Sequence, residues 1–140
     1  MAPAVLQRGT VFGAQHDDTY DWWQSEEPKW KWCLVFNAKP LQPDEDVLYF
    51  VATSQLTYFR ENPNLLTDIL ILAAGTYPFF PVETAIDFRD LRMVPLAKLL
   101  EKGLRIAGLL SAADVARCES IVRQARLLEN RAKRDLALLV

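Results

Sequence analysis

The chain has 140 residues with a formal net charge of −2, 51% hydrophobic and 24% charged residues, the balance of an ordinary soluble globular protein. No apolar run approaches the ~20 residues that span a bilayer, and the first residues lack a basic stretch followed by an apolar one, so no membrane span and no secretion signal are expected and the protein reads as cytoplasmic. Two cysteines and one histidine are too few for a zinc site of the usual kinds, so Cys33 and Cys118 are read as buried thiols, and no metal or cofactor is expected.

The small net charge conceals an uneven distribution. Residues 1–88 hold 5 Lys and Arg against 12 Asp and Glu, whereas residues 89–140 hold 11 against 6. The halves therefore carry −7 and +5. A basic patch beside an acidic loop suits polyanion binding, and a basic helix solvated on its outer face explains the numbers equally well.

Taken in order, residues 8–15 read as a first short strand after a glycine. Residues 16–28 turn acidic and aromatic, a loop about a dozen residues long, the kind that is commonly functional. Adjacent Trp22 and Trp23 cannot both point inward from an extended chain, so one of them is expected to meet solvent or a partner. Residues 30–37 alternate, with Trp30, Trp32, Leu34 and Phe36 on one face and Lys31, Cys33 and Val35 on the other. Residues 47–55 form the central strand, apolar on both faces and ending in Thr53-Ser54-Gln55, which predicts cover on both sides.

Beyond it, one helical turn is expected over residues 56–62 and a short apolar strand over 69–72. Two further strands are expected over 84–88 and 91–94, with Arg89-Asp90 as the turn between them. A short helix follows Pro95 over residues 96–102, and residues 104–110 read as a last strand or extended link. Ser111 with Asp114 resembles a capping box, and it opens a long helix to residue 138 with an apolar stripe of Cys118, Ile121, Val122, Ala125, Leu128, Ala132 and Leu136. The expectation is one domain over residues 1–140 of α+β class, mainly β. It comprises a strongly bent sheet or barrel of five to seven short strands over 8–110 and a long C-terminal helix over 111–138 packed on it.

Several short pieces then fall in a recognisable order. These are Arg8-Gly9-Thr10-Val11-Phe12 at a first strand, Ser25-Glu26 five residues before Lys31, the apolar Cys33-Leu34-Val35-Phe36, Ala52-Thr53-Ser54 at the end of the next strand, and Gly108-Leu109-Leu110-Ser111 before a last helix. The pattern resembles the PemK/MazF-type toxins of toxin-antitoxin systems over roughly residues 8–130. The resemblance implies an SH3-like barrel, a homodimer, an antitoxin-like protein partner, and metal-independent cleavage of single-stranded RNA by attack of the ribose 2′-hydroxyl on the adjacent phosphate.

Carried over residue by residue, the resemblance gives Glu26, Lys31 and Thr53 as the catalytic set. Glu26 accepts the 2′-hydroxyl proton, Lys31 stabilises the phosphorane charge, and Thr53 with Ser54 hydrogen-bonds phosphate oxygens. Lys29, Ser54, Arg89 and Arg92 are the expected RNA contacts. The chain departs from the family where Lys29 stands for a glycine, Lys31 for an arginine and Trp32 for a proline, and a lysine lacks the planar fork that grips two phosphate oxygens. A second reading keeps the barrel without catalysis and gives the acidic loop 16–27, through Trp22 and Trp23, to a protein partner. A third gives nucleic-acid contact to the basic C-terminal helix, whose binding would weaken steeply with salt.

Overall fold

The structure is a computed structural model and describes residues 6–16 and 29–138. Six antiparallel strands form one open, curled half-barrel: β1 (Thr10–His16), β2 (Lys29–Val35), β3 (Asp46–Thr53), β4 (Ile69–Leu72), β5 (Thr84–Pro95) and β6 (Arg105–Leu109), in the spatial order β4-β5-β3-β2-β1-β6. Helices α1 (Thr57–Glu61), α2 (Leu96–Glu101), α3 (Ala112–Gln124) and α4 (Asn130–Asp135) complete a mainly β member of the α+β class. A 3-10 segment, Pro63–Asp68, leads into β4.

Period-two alternation explains how the sheet buries both faces. Leu34 and Phe36 with Phe50 and Ala52 join Ile86 and Phe88 in a cluster covered by Cys118 and Val122 of α3 and by Leu128 and Leu136, which follow α3 and α4. Cys33 and Val35 with Val47 and Tyr49 face the other way, under Leu6, Leu41, Leu96 and Leu99. Central β3 is therefore covered on both sides, as its unbroken apolar run requires. Phe36, Phe50 and Phe88 meet edge to face with centroids 4.8–6.0 Å apart, a geometry adding about 0.5–1.5 kcal/mol per pair beyond burial.

Two expected elements are corrected. Residues 84–95 form one strand, not two with a turn. Opposite β3, Tyr49 pairs with Arg92 and Val51 with Asp87, so residues 88–91 of β5 stand against Phe50 alone. The turn expected at Arg89-Asp90 is thus a bulge, which bends β5 and helps to curl the sheet. The long C-terminal helix is also interrupted. Ser111 caps α3 by accepting from the Asp114 amide at 3.1 Å, but Ala125 leaves the helix in an extended conformation (ψ 129°), and α4 starts only at Asn130.

Side chains from elsewhere hold that break. Buried Asp68 accepts from the amides of Arg126 (3.4 Å) and Leu127 (3.0 Å), and the Lys133 ammonium donates to the carbonyls of Arg123 (3.0 Å) and Ala125 (2.8 Å). At the other end of the chain, Arg8 ties three elements together. Its guanidinium donates to Glu119 at 2.7 Å and to the carbonyls of Leu136 and Phe36, and it lies 4.8 Å above the Phe36 ring. Gly9 (φ 99°) allows the neighbouring approach, since a Cβ there would stand 2.7 Å from Val115 Cγ2.

Candidate functional site

The end of β3 is where the chain changes from apolar strand to hydroxyl groups, and neighbouring segments meet there. Trp32 pairs with Ala52, which sets Lys31 and Thr53 one step further along β2 and β3. Thr53 Oγ1 accepts from the Gln55 amide at 3.1 Å, a local turn that ends the strand and bends Ser54 and Gln55 away from the sheet. Against this end lies the connection from β4 to β5, bringing Phe79 and Phe80. A cleft of about 280 Å³ results, lined by Lys31, Trp32, Thr53, Ser54, Gln55 and Phe79 among others.

A second cleft, of about 250 Å³, opens on the other side of Thr53 and Gln55, lined by Tyr58, Asp87, Arg89, Asp90 and Arg92. It sits at the β5 bulge. Its cations are matched within the chain. Arg89 grips Asp87 with two parallel bonds of 2.9 and 2.8 Å, and its guanidinium carbon lies 5.5 and 5.2 Å from the ring centroids of Tyr58 and Phe59. Hydrogen bonding to Asp87 raises the Arg89 pKa above arginine's ordinary value, so the group stays charged and committed. Arg92 reaches Asp90 at 2.6 Å, and Arg60, which lines a neighbouring groove, is paired with Glu83.

The structure brings together Lys31, Thr53 and Ser54 in the first cleft, and Arg89 and Arg92 in the second. Glu26, Trp22 and Trp23, with the rest of residues 17–28, lie outside the described residues. Lys29 is placed by its backbone opposite His16, at the end of β2 next to those residues. Chemically, the first cleft offers an ammonium, the hydroxyls of Thr53, Ser54 and Thr84, an amide and aromatic walls, a set suited to binding a phosphate or sugar beside a planar ring. Its described lining contains no carboxylate or histidine, so proton abstraction would need a base from outside that lining. Among the described residues no three His, Cys, Asp or Glu side chains group as a metal-ligand set.

Both cysteines are buried, and burial raises the Cys33 thiol pKa well above its ordinary value and pushes Cys118 up to about 12. Neither is a reactive thiolate. Phe79 was not among the site residues expected from the sequence. Tyr77-Pro78-Phe79-Phe80-Pro81 signals an extended or turning segment, but nothing local says which strand end it approaches.

No protein-family model matches the chain, and no curated protein matches it. Among the described residues no helix is long and apolar enough to cross a membrane.

Proposed function

We propose that the chain is a PemK/MazF-like protein on an SH3-like barrel that binds single-stranded RNA in the Lys31-Thr53-Ser54 cleft and cleaves it without a metal, as a toxin held by an antitoxin-like partner. The observation that carries this reading is the shared cleft. Three residues singled out by the resemblance, one on β2 and two at the end of β3, line one cavity. In this reading Lys31 compensates the charge on the attacked phosphate, Thr53 and Ser54 donate to its oxygens, and Glu26 takes the 2′-hydroxyl proton. The 2′-oxygen then bonds to phosphorus, the bond to the 5′-oxygen breaks, that oxygen takes up a proton from water, and a cyclic phosphate remains.

The test is incubation of long single-stranded RNA with the protein in EDTA, with Glu26→Gln and Lys31→Ala beside it. Discrete fragments ending in cyclic phosphate, lost in both variants, are expected. Unchanged cutting by either variant removes that residue from the mechanism.

The second reading, a non-catalytic module that engages a protein through loop 16–27, is favoured by one observation. Arg89 and Arg92, expected on RNA, are each held by a carboxylate two residues away. Intact RNA in the same assay, together with partner capture that disappears on deleting residues 17–25, would move the assignment there.

The homodimer belongs to the proposal as well. Apolar β4 gives it no support, because Ile69, Leu70 and Leu72 are buried within the chain itself. Edge strand β6 does support it, exposing Ile106 and Leu109. Sedimentation at twice the 16.0 kDa of one chain is the expected result, and a mass of 16.0 kDa counts against it.

A further inference from the structure

Phe79 is supported from several directions although it is only half-buried, and a ring that served only the core would be expected to sink inward like its neighbour Phe80, which is 2% exposed. Tyr77 stacks on it, with centroids 5.2 Å apart and planes 22° from parallel, and Phe80 meets it edge to face at 4.8 Å. Beneath its edge lies Gly108 of β6, where an added Cβ would stand 2.8 Å from Phe79 Cε1. The turn itself is closed by Phe80 N donating to Tyr77 O and Gly75 N donating to Phe80 O, each at 3.0 Å.

Tyr77 is in turn fastened to the start of α3. Its hydroxyl donates to Asp114 Oδ2 at 2.6 Å and accepts from the Ser111 amide at 2.8 Å. The ring is thus fixed before any ligand arrives, so ordering it costs a ligand little.

We infer that Phe79 is the preorganised stacking shelf for one nucleobase, with Tyr77 and Gly108 as its positioning residues, so that the cleft holds a single nucleotide with its base on Phe79 and its phosphate toward Lys31 and Thr53. The inference rests on the RNA reading given above and adds to it a base-dependent component of binding. The volume agrees. About 280 Å³ is near the lower end of the ~300–1,000 Å³ range of small-molecule sites and suits one nucleotide better than a dinucleotide cofactor. The sharing of roles follows from chemistry: a π-face accepts any base, and the ammonium and hydroxyls bind the backbone.

The experiment is a fluorescence-anisotropy titration of the full chain with two labelled probes of equal length whose 2′-hydroxyls are methylated so that neither can be cut, a single-stranded RNA and a ribose-phosphate oligomer without bases. The wild type is expected to prefer the RNA by about tenfold or more, the size of one base–aromatic stack. Phe79→Leu should lose that preference while binding the abasic probe as before. Gly108→Ala, whose methyl displaces the ring, and Tyr77→Phe, which keeps the stack but frees it from α3, should each reduce the preference severalfold. Should Phe79→Leu fail to unfold cooperatively, Gly108→Ala decides the question in its place.

Wild-type preference retained in Gly108→Ala and Tyr77→Phe as well as in Phe79→Leu overturns the shelf. If Lys31→Ala still weakens both probes in that case, the RNA reading stands without it. Failure of the wild type to bind either probe overturns both.

Discussion

Asp114 shows how one side chain serves both stability and the site. It accepts from the Tyr77 hydroxyl and pairs with Arg117 at 3.0 Å, while its amide caps onto Ser111. Tyr77 first, then Arg117 and Ser111, hold its carboxyl below the ordinary carboxylate range against the opposing effect of burial. A depressed folded-state pKa means that this contribution is complete above the unfolded value of ~3.9 and is lost as pH falls through the lower folded value. Tyr77→Phe should therefore be less stable than wild type at pH 7 by about 1–3 kcal/mol, the range for a hydrogen bond to a charged group. The difference should shrink below about pH 4. Urea unfolding at pH 7 and at acid pH measures it, and a pH-independent difference would show that Asp114 is not the partner that matters. The near-capping box at Ser111 was legible in the sequence, whereas Tyr77, which completes it from 37 residues before Asp114, was not.

At the scale of elements, alternation carried most of the information. β2, β3 and β4 lie where their apolar patterns put them, because each fills two faces or an edge of the same sheet. The failures have long-range causes. Nothing in the spacing of Cys118, Val122, Ala125, Leu128 and Leu136 announces a break, and residues 111–138 contain no Pro or Gly. The same residues reach the core from two short helices and the segments that follow them because Asp68, which arrives from the 3-10 segment before β4, accepts the amides at the break. Asp68→Ala leaves those donors without their acceptor and should cost about 1–3 kcal/mol, with Asp68→Asn retaining part of it. Thermal unfolding checks this, and an unchanged Tm in Asp68→Ala would mean that Lys133 alone holds the turn. In β5, Arg89-Asp90 has turn composition, but Arg89 closes back on Asp87 and lies against Tyr58 and Phe59, so the chain bulges and continues.

For the whole molecule, the curled sheet gathers the end of β3, the start of β2 and the β4–β5 connection at one place. Thr53 and Ser54 could be marked as site candidates from the hydroxyls that end an apolar strand, and Lys31 only from the resemblance. Their meeting with Phe79 depends on the sheet order and is invisible in sequence spacing. The charge asymmetry has a different expression from a groove lined with free cations, since the arginines of the second cleft are matched with Asp87 and Asp90. Much of the remaining positive charge, including Arg123, Arg126, Arg131 and Arg134, is exposed on and around α3 and α4. The two surfaces make rival claims on RNA, and photocrosslinking of a 4-thiouridine-substituted single strand to the full chain, with the adducts located by mass spectrometry, separates them. The account predicts adducts at Trp32, Phe79 or Lys31 that a Thr53→Ala substitution diminishes. Adducts confined to residues 117–134 and indifferent to Thr53 would contradict it, and would assign the nucleic-acid contact to the basic helices.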